Sequence, residues 1–316
     1  MMAKFPHKIK QGDCIGLVAC SSAISNERLD SCINVIKGLG YQVKVADNIT
    51  ASKGGYMAGD EEIRAEWLNK MFEDKLVDAI FCVRGGDGSN RMISKVNLDI
   101  VKNNPKIFVG YSDITQLLNL FNRECELVTF HGPMVSSNMV DDYDEETEAA
   151  FKNALNADCE YSYIEPYGKP IEIVQDGCGE VSGQLVGGNL ELICTSIGTP
   201  YEIDTDGKIL FIEEIRGHIG NTDRKLYQLR DCGKLDKVTG IIIGQFTDFR
   251  IDMPGEYEIE NVVMEALLSS NRVDAKSVPV MSNIQSGHGK PMITLPIGAM
   301  CRIDTKNKTI KFDVER

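Results

Sequence analysis

"PKIFVGYSDITQLL", Pro105 to Leu118, runs an apolar strand straight into an apolar-periodic helix. A change of period at one point is the mark of a strand-to-helix turn in an α/β sheet. A single serine, Ser112, stands at the join. Two readings compete for it. In an open parallel sheet, ligands bind beyond the carboxyl ends of the strands. A serine there could act as a nucleophile, with the N–H of Asp113 at the helix start serving an oxyanion. Serine is also a preferred N-cap. The stretch "GYSDI" lacks the second glycine of a G-x-S-x-G elbow.

Outward from this turn the pattern repeats. "CIGLVAC" (14–20) reads as a strand, followed by a helix with Leu29, Cys32, Ile33, Ile36 and Leu39 on one stripe. "YQVKVA" (41–46) is the next strand. After a turn-rich stretch, Asp60 opens a helix with Glu61 and Glu62 in its first turn and Ile63, Trp67 and Met71 facing inward. "AIFCV" (79–83), "KIFVGY" (106–111) and "LVTF" (127–130) are further strands, and an acidic helix covers about 143–155. Alternation of this kind predicts a doubly wound parallel sheet over residues 1–155. Residues 156–180, with Pro166, Gly168, Pro170, Gly177 and Gly179, read as a linker. Residues 181–316 read as a smaller, β-rich α+β domain, with strands such as "KILFIEEI" (208–215), "VTGIIIGQF" and "TIKFDV".

Composition narrows the function. The chain has 316 residues and a formal net charge of -13, with no Lys/Arg run to offset it. Nucleic acid and anionic membrane are therefore poor partners. None of the ten cysteines forms a C-x-x-C, and none lies at zinc spacing from a histidine. Buried free thiols in a reducing cytoplasm are expected. No signal peptide and no membrane span are read.

A hydrolytic serine needs a base and an orienting acid. His7 lies in the N-terminal tail, His131 ends a strand, and His218 lies in a loop. His288 is flanked by Gly287 and Gly289, which suggests a backbone shaped to present its ring. Glu213 and Glu214 close an otherwise apolar strand, and the alternation of a strand sends them to opposite faces. "CVRGGDGSNR" (82–91) follows the strand beside Ser112. Its glycines could bring N–H groups close to a ligand, or form a tight turn, or bind phosphate as the similar "GGDGS" of NAD and lipid kinases does.

Taken in order, these stretches resemble the serine LD-carboxypeptidases, the family that also contains the microcin C immunity peptidases. "QGDCIGLVACSSAIS", "RGGDGSNR", "GYSDIT", "FHGPM", "GGNLELI", "GTPYEIDTDGKILFIEE", "DRKLYQL" and "GHGKPMITLPIGA" follow in family order along nearly the whole chain. The resemblance implies a flavodoxin-like N-terminal domain and a smaller β-rich C-terminal one. It implies Ser112 as nucleophile, His288 as general base and Glu213 as orienting acid. The oxyanion hole maps to the backbone N–H groups of Gly86 and Asp113. Asp87 stands where many members carry an aromatic residue. The implied reaction removes the terminal D-alanine of a murein tetrapeptide, without metal or organic cofactor.

Arg84 is the candidate for the substrate's terminal carboxylate. A homodimer is the expected assembly. Three alternatives stay open: a microcin-type immunity peptidase acting on peptidyl or aminoacyl nucleotides, a phosphoryl-transfer enzyme using "GGDGS", and a non-enzymatic small-molecule binding protein.

Overall fold

A computed structural model describes residues 3–141, 143–250 and 255–316. The chain divides into two compact units. One comprises Met1–Asp158, Thr294–Gly298 and Glu315–Arg316, the other Cys159–Ile293 and Ala299–Val314.

In the first unit the elements run β1 (Cys14–Val18), α1 (Asn26–Gly38), β2 (Gln42–Val45), α2 (Glu61–Glu73), β3 (Ala79–Cys82), α3 (Ser89–Met92), α4 (Leu98–Asn103), β4 (Ile107–Gly110), α5 (Thr115–Cys125), β5 (Thr129–His131) and α6 (Glu145–Asn156). The strands pair in parallel in the order β2-β1-β3-β4-β5. This is the flavodoxin-like doubly wound order. Its crevice opens where the order reverses, between the carboxyl ends of β1 and β3. A sixth strand, Leu295–Ile297, adds antiparallel to β5. The strands β3 and β4 are buried along their whole length, as a sheet covered on both faces requires. Phe121 packs edge to face on Phe72 and Phe108 in the core, and those two are tilted on one another, with ring centroids 5.2–5.9 Å apart. Asp60 caps α2 by accepting from Ile63 N at 2.9 Å.

The buried face of α2 departs from the expected stripe. Trp67 is only half-buried, under Lys70. Met71 is buried as expected, but Arg64, Leu68 and Phe72 take the places beside it in the core.

The second unit is built on one sheet of eight strands. In chain order its elements are β6 (Glu160–Ser162), β7 (Glu172–Gln175), β8 (Glu180–Asn189), α7 (Leu190–Ser196), β9 (Ile209–Ile215), α8 (Ile219–Asp231), β10 (Gly240–Thr247), α9 (Ile259–Leu268) and β11 (Val280–Ser282). After β12 (Leu295–Ile297) of the first unit come β13 (Met300–Asp304) and β14 (Thr309–Asp313). Four central strands, β8-β9-β10-β11, are parallel. Antiparallel strands complete both edges. Leu210, Ile212, Ile241 and Ile243 pack against Leu226, Leu229, Val262 and Val263 of the covering helices. Each such buried side chain contributes about 1.5–3 kcal/mol.

Two boundaries differ from the sequence reading. Residues 156–180 are not a free linker, because β6 and β7 pair at the edges of the second sheet. Residues 181–316 are not one domain, because β12 leaves to pair with β5. The parallel core of the second unit was likewise unexpected for a half read as α+β.

Candidate active site

Ser112 lies two residues past the end of β4 and begins a turn of 3-10 helix. Its hydroxyl caps neither that turn nor α5, whose N-cap positions are Tyr111 and Ile114 and carry no side-chain cap bond. The capping reading of Ser112 therefore falls. Its backbone lies in the left-handed region, at φ 60°, which is costly for any residue with a Cβ. Such a turn lifts the side chain out of the path of both elements.

The loop after β3 lies against it. A Cβ added to Gly85 would sit 3.1 Å from Ser112 Cβ and 3.2 Å from its Oγ. Gly86 has φ 117°, and a Cβ there would collide with Ser22 Oγ at 2.0 Å. Only glycine fits between the β1 and β3 loops at this point. Gly86 is exposed, and among the described residues no acceptor takes its N–H.

Asp113 differs in kind from its neighbour. Its carboxylate is 4% exposed. Oδ2 accepts from Ser21 Oγ at 2.5 Å and from Ser89 N at 2.8 Å. Burial pushes this carboxyl up, and the Ser21 and Ser89 donors oppose that shift.

Arg84 is exposed at a cavity of about 620 Å³ in the same unit, lined also by Arg28, Ser25, Thr50, Ser52 and Ser136. Arg28 is committed to Asp141 and Ser136. Arg84 makes no ion pair among the described residues.

In the second unit, Glu213 ends up fully buried near the carboxyl end of β9. Its Oε2 lies 2.7 Å from His288 Nδ1. A carboxylate can only accept, so Nδ1 carries the proton and Nε2 is the basic nitrogen. Burial pushes the Glu213 carboxyl up, and the imidazole opposes that shift. Glu214 points elsewhere: it accepts from Lys225 Nζ at 2.7 Å, Asn189 Nδ2 at 3.0 Å and Glu191 N at 3.1 Å.

Both glycines beside His288 are required by close approach. A Cβ on Gly287 (φ 142°) would meet Glu213 Oε2 and Gln245 Cβ at 3.1 Å, and one on Gly289 would meet Gln245 Cδ at 2.8 Å. Gln245 itself holds the loop. Its Oε1 accepts from Gly289 N at 2.8 Å, and its Nε2 donates to Pro291 O at 3.0 Å. The sequence reading missed this residue, because a lone glutamine in the strand "GIIIGQF" reads as a surface position.

The other histidines lie in different surroundings. His131 is buried in β5, edge-on to Tyr111 at 5.7 Å. His7 and His218 are exposed. All ten cysteines are free, but Cys159, Cys178 and Cys232 are exposed rather than buried. Among the described residues no helix is long and apolar enough to cross a membrane.

Comparison with known proteins places this arrangement. Residues 15–132 match the LD-carboxypeptidase N-terminal domain, and residues 182–303 match its C-terminal domain. The "Probable murein peptide carboxypeptidase" of Bacillus subtilis is 37% identical, over 96% of this chain and 92% of its own. The microcin C7 self-immunity protein MccF of Escherichia coli is 27% identical over 95% and 92%. A wild-type apo structure of MccF superposes with a TM-score of 0.88 at 26% identity, covering 100% of this chain and 99% of the other. The muramoyltetrapeptide carboxypeptidase of Oxalobacter formigenes superposes at 0.81 with 26% identity, over 96% and 99%. Near-full coverage by both domains, in order and with this two-domain fold, means that the chain belongs to the LD-carboxypeptidase family.

Proposed function

We propose that this chain is a serine carboxypeptidase that removes the terminal D-alanine from murein tetrapeptides. The observation that carries the reading is the buried Glu213–His288 pair, 2.7 Å apart, which leaves Nε2 as the working base. Family membership supplies the reaction class and displaces the kinase-like reading of "GGDGS".

In the proposed mechanism Nε2 of His288 takes the Ser112 proton as Oγ attacks the scissile carbonyl. Glu213 stabilises the imidazolium that results. The N–H groups of Gly86 and Asp113 hold the tetrahedral oxyanion, each such donor contributing about 2.7–4 kcal/mol. His288 then protonates the leaving amine of D-alanine, and water resolves the acyl-enzyme by the same steps in reverse. Arg84, which pairs with no acid among the described residues, receives the terminal carboxylate.

A murein peptide suits the chain better than a nucleotide. Tyr161 is stacked on Phe312 in the core, and the Tyr163 hydroxyl accepts from Gln285 N at 2.9 Å. Both rings are buried and cannot stack on a nucleobase, whereas Tyr167 is exposed; the preference rests on the greater identity to the murein peptide relative, 37% against 27% for MccF. The test is release of D-alanine from a tetrapeptide. Ser112→Ala is expected to lower kcat by about 10⁵–10⁶, and an unchanged rate would reject the proposal.

A further inference from the structure

Arg64 is an arginine inside the first unit, 1% exposed. Its Nη1 donates to Cys20 O and to Gly88 O, each at 2.7 Å, and its Nε donates to Asp60 O at 3.2 Å. It forms no ion pair among the described residues. A buried cation held by three carbonyls and the Met57 thioether, with no carboxylate, is an expensive way to fill a core, where an apolar side chain of similar volume is often as stable. What the guanidinium adds is geometry.

The other half of that geometry is Asp113. Gly88 C=O and Ser89 N–H are the two ends of one peptide group. The guanidinium of Arg64 holds its oxygen, and the carboxylate of Asp113 accepts its N–H at 2.8 Å. Charge at both ends polarises the peptide and strengthens each bond. The same pair grips the β1 loop, Arg64 through Cys20 O and Asp113 through the Ser21 hydroxyl. Gly88 is at φ 110°, and a Cβ there would lie 3.1 Å from Met57 Sδ and 3.4 Å from Arg64 Nη1. The loops on both sides of the β1/β3 crevice are thus tied to one buried cation and one buried anion.

We propose that Arg64 and Asp113 are a positioning pair, acting through the Gly88–Ser89 peptide, that fixes the Gly85–Gly88 turn and with it the Gly86 N–H for oxyanion binding. This rests on the serine-carboxypeptidase reading. Neither side chain touches reacting atoms. Their contribution lies in holding a donor at a fixed point, and misplacing a donor by about 1 Å can cost about 10²-fold in rate.

The test measures kcat, KM and inhibitor affinity for Asp113→Ala, Asp113→Asn, Arg64→Lys and the Arg64→Lys/Asp113→Ala double variant. Two inhibitors are compared: a boronic-acid analogue, which places an oxygen in the oxyanion hole, and the tripeptide product, which does not. Asp113→Ala and Arg64→Lys are each expected to lower kcat by about 10²-fold with KM within about threefold. Boronate affinity should fall with kcat while product affinity holds. Asp113→Asn should recover most of the loss, because both bonds go to one oxygen that an amide can supply.

The double variant should be no worse than the weaker single variant, since both act through one peptide. Asn48→Ala serves as the comparator: Asn48 is buried and donates to Ala19 O and Ala58 O, so its loss should lower Tm without moving boronate affinity. Additive losses in kcat, or boronate affinity unchanged in Asp113→Ala, would overturn the pair. If Arg64→Lys fails to fold, the contrast between the Asp113 variants decides. Turnover retained by Ser112→Ala would instead overturn the underlying reading.

Discussion

The Oε2 atom of Glu213 lies 2.7 Å from Nδ1 of His288, while the next residue along the same strand, Glu214, binds Lys225 at the same distance. The alternation of a β-strand separates two adjacent carboxylates into different environments. One is wholly buried against an imidazole. The other is saturated by a lysine, an asparagine and two backbone N–H groups. Glu213→Gln is expected to lower kcat by about 10³–10⁴, since an amide cannot stabilise the imidazolium. Glu214→Gln should leave kcat within a few-fold and cost about 1 kcal/mol of stability, since Lys225 keeps Glu191 as its ion-pair partner. Steady-state kinetics and urea unfolding of the two variants check this; loss of turnover in Glu214→Gln alone would reverse the assignment.

The left-handed backbone of Ser112 predicts a stability effect apart from catalysis. A non-glycine residue at φ 60° is strained by about 1–2 kcal/mol. Ser112→Gly should therefore be more stable than Ser112→Ala by about 1 kcal/mol, although both lack the nucleophile. Equal unfolding midpoints would show that the turn holds no strain.

The first unit was legible because each strand in it is a short apolar run separated from the next by a helical period, as in "KIFVGYSDIT". Local pattern and sheet topology agree there. The second unit was less so. Its parallel strands β8 to β11 pair across long connections, and β8 carries three glycines within its ten residues, which obscures an apolar strand. The transfer of β12 to the first sheet leaves no local signature, because Leu295–Ile297 looks like any short strand. Candidate site positions at turns could be named from glycines and chain order. Arg64, Gln245 and the Asp113 carboxylate could not, because a polar residue on a helix stripe or strand reads as surface until its buried partners are known.

Gln245 offers a direct test of that blind spot. Its amide bonds Gly289 N and Pro291 O, both just past His288 in the same loop. Gln245→Leu removes both bonds while keeping most of the volume. The expected result is a fall in kcat of about 10–10²-fold with a smaller change in KM, because ring placement affects proton transfer more than binding. A change confined to KM would assign Gln245 to substrate contact instead.

Arg84 should affect binding more than chemistry. Arg84→Ala is expected to raise KM for a tetrapeptide by about 10–10²-fold, as loss of a charge-assisted pair of about 1.5–3 kcal/mol requires. A substrate whose terminal carboxylate is amidated should bind wild type and variant alike. If the variant discriminates between the two substrates as well as wild type does, the carboxylate is held elsewhere.

Lys106 precedes β4 and is 8% exposed. Its Nζ donates to Met71 O at 2.9 Å and to Asp74 O, capping the carboxyl end of α2. Burial lowers its pKa from 10.5 to about 8. Between those values the folded chain has released a proton that the unfolded chain keeps, so stability rises with pH across that window. Below about pH 8 the burial penalty is fully present, and above 10.5 it is gone. Lys106→Met lacks this titration. Wild type should therefore gain on the variant by about 1–3 kcal/mol between pH 8 and 10.5, read as the difference in urea unfolding free energy at each pH. A constant difference would mean that Lys106 keeps an ordinary pKa in the fold, and a shrinking one would reverse the sign of its burial effect.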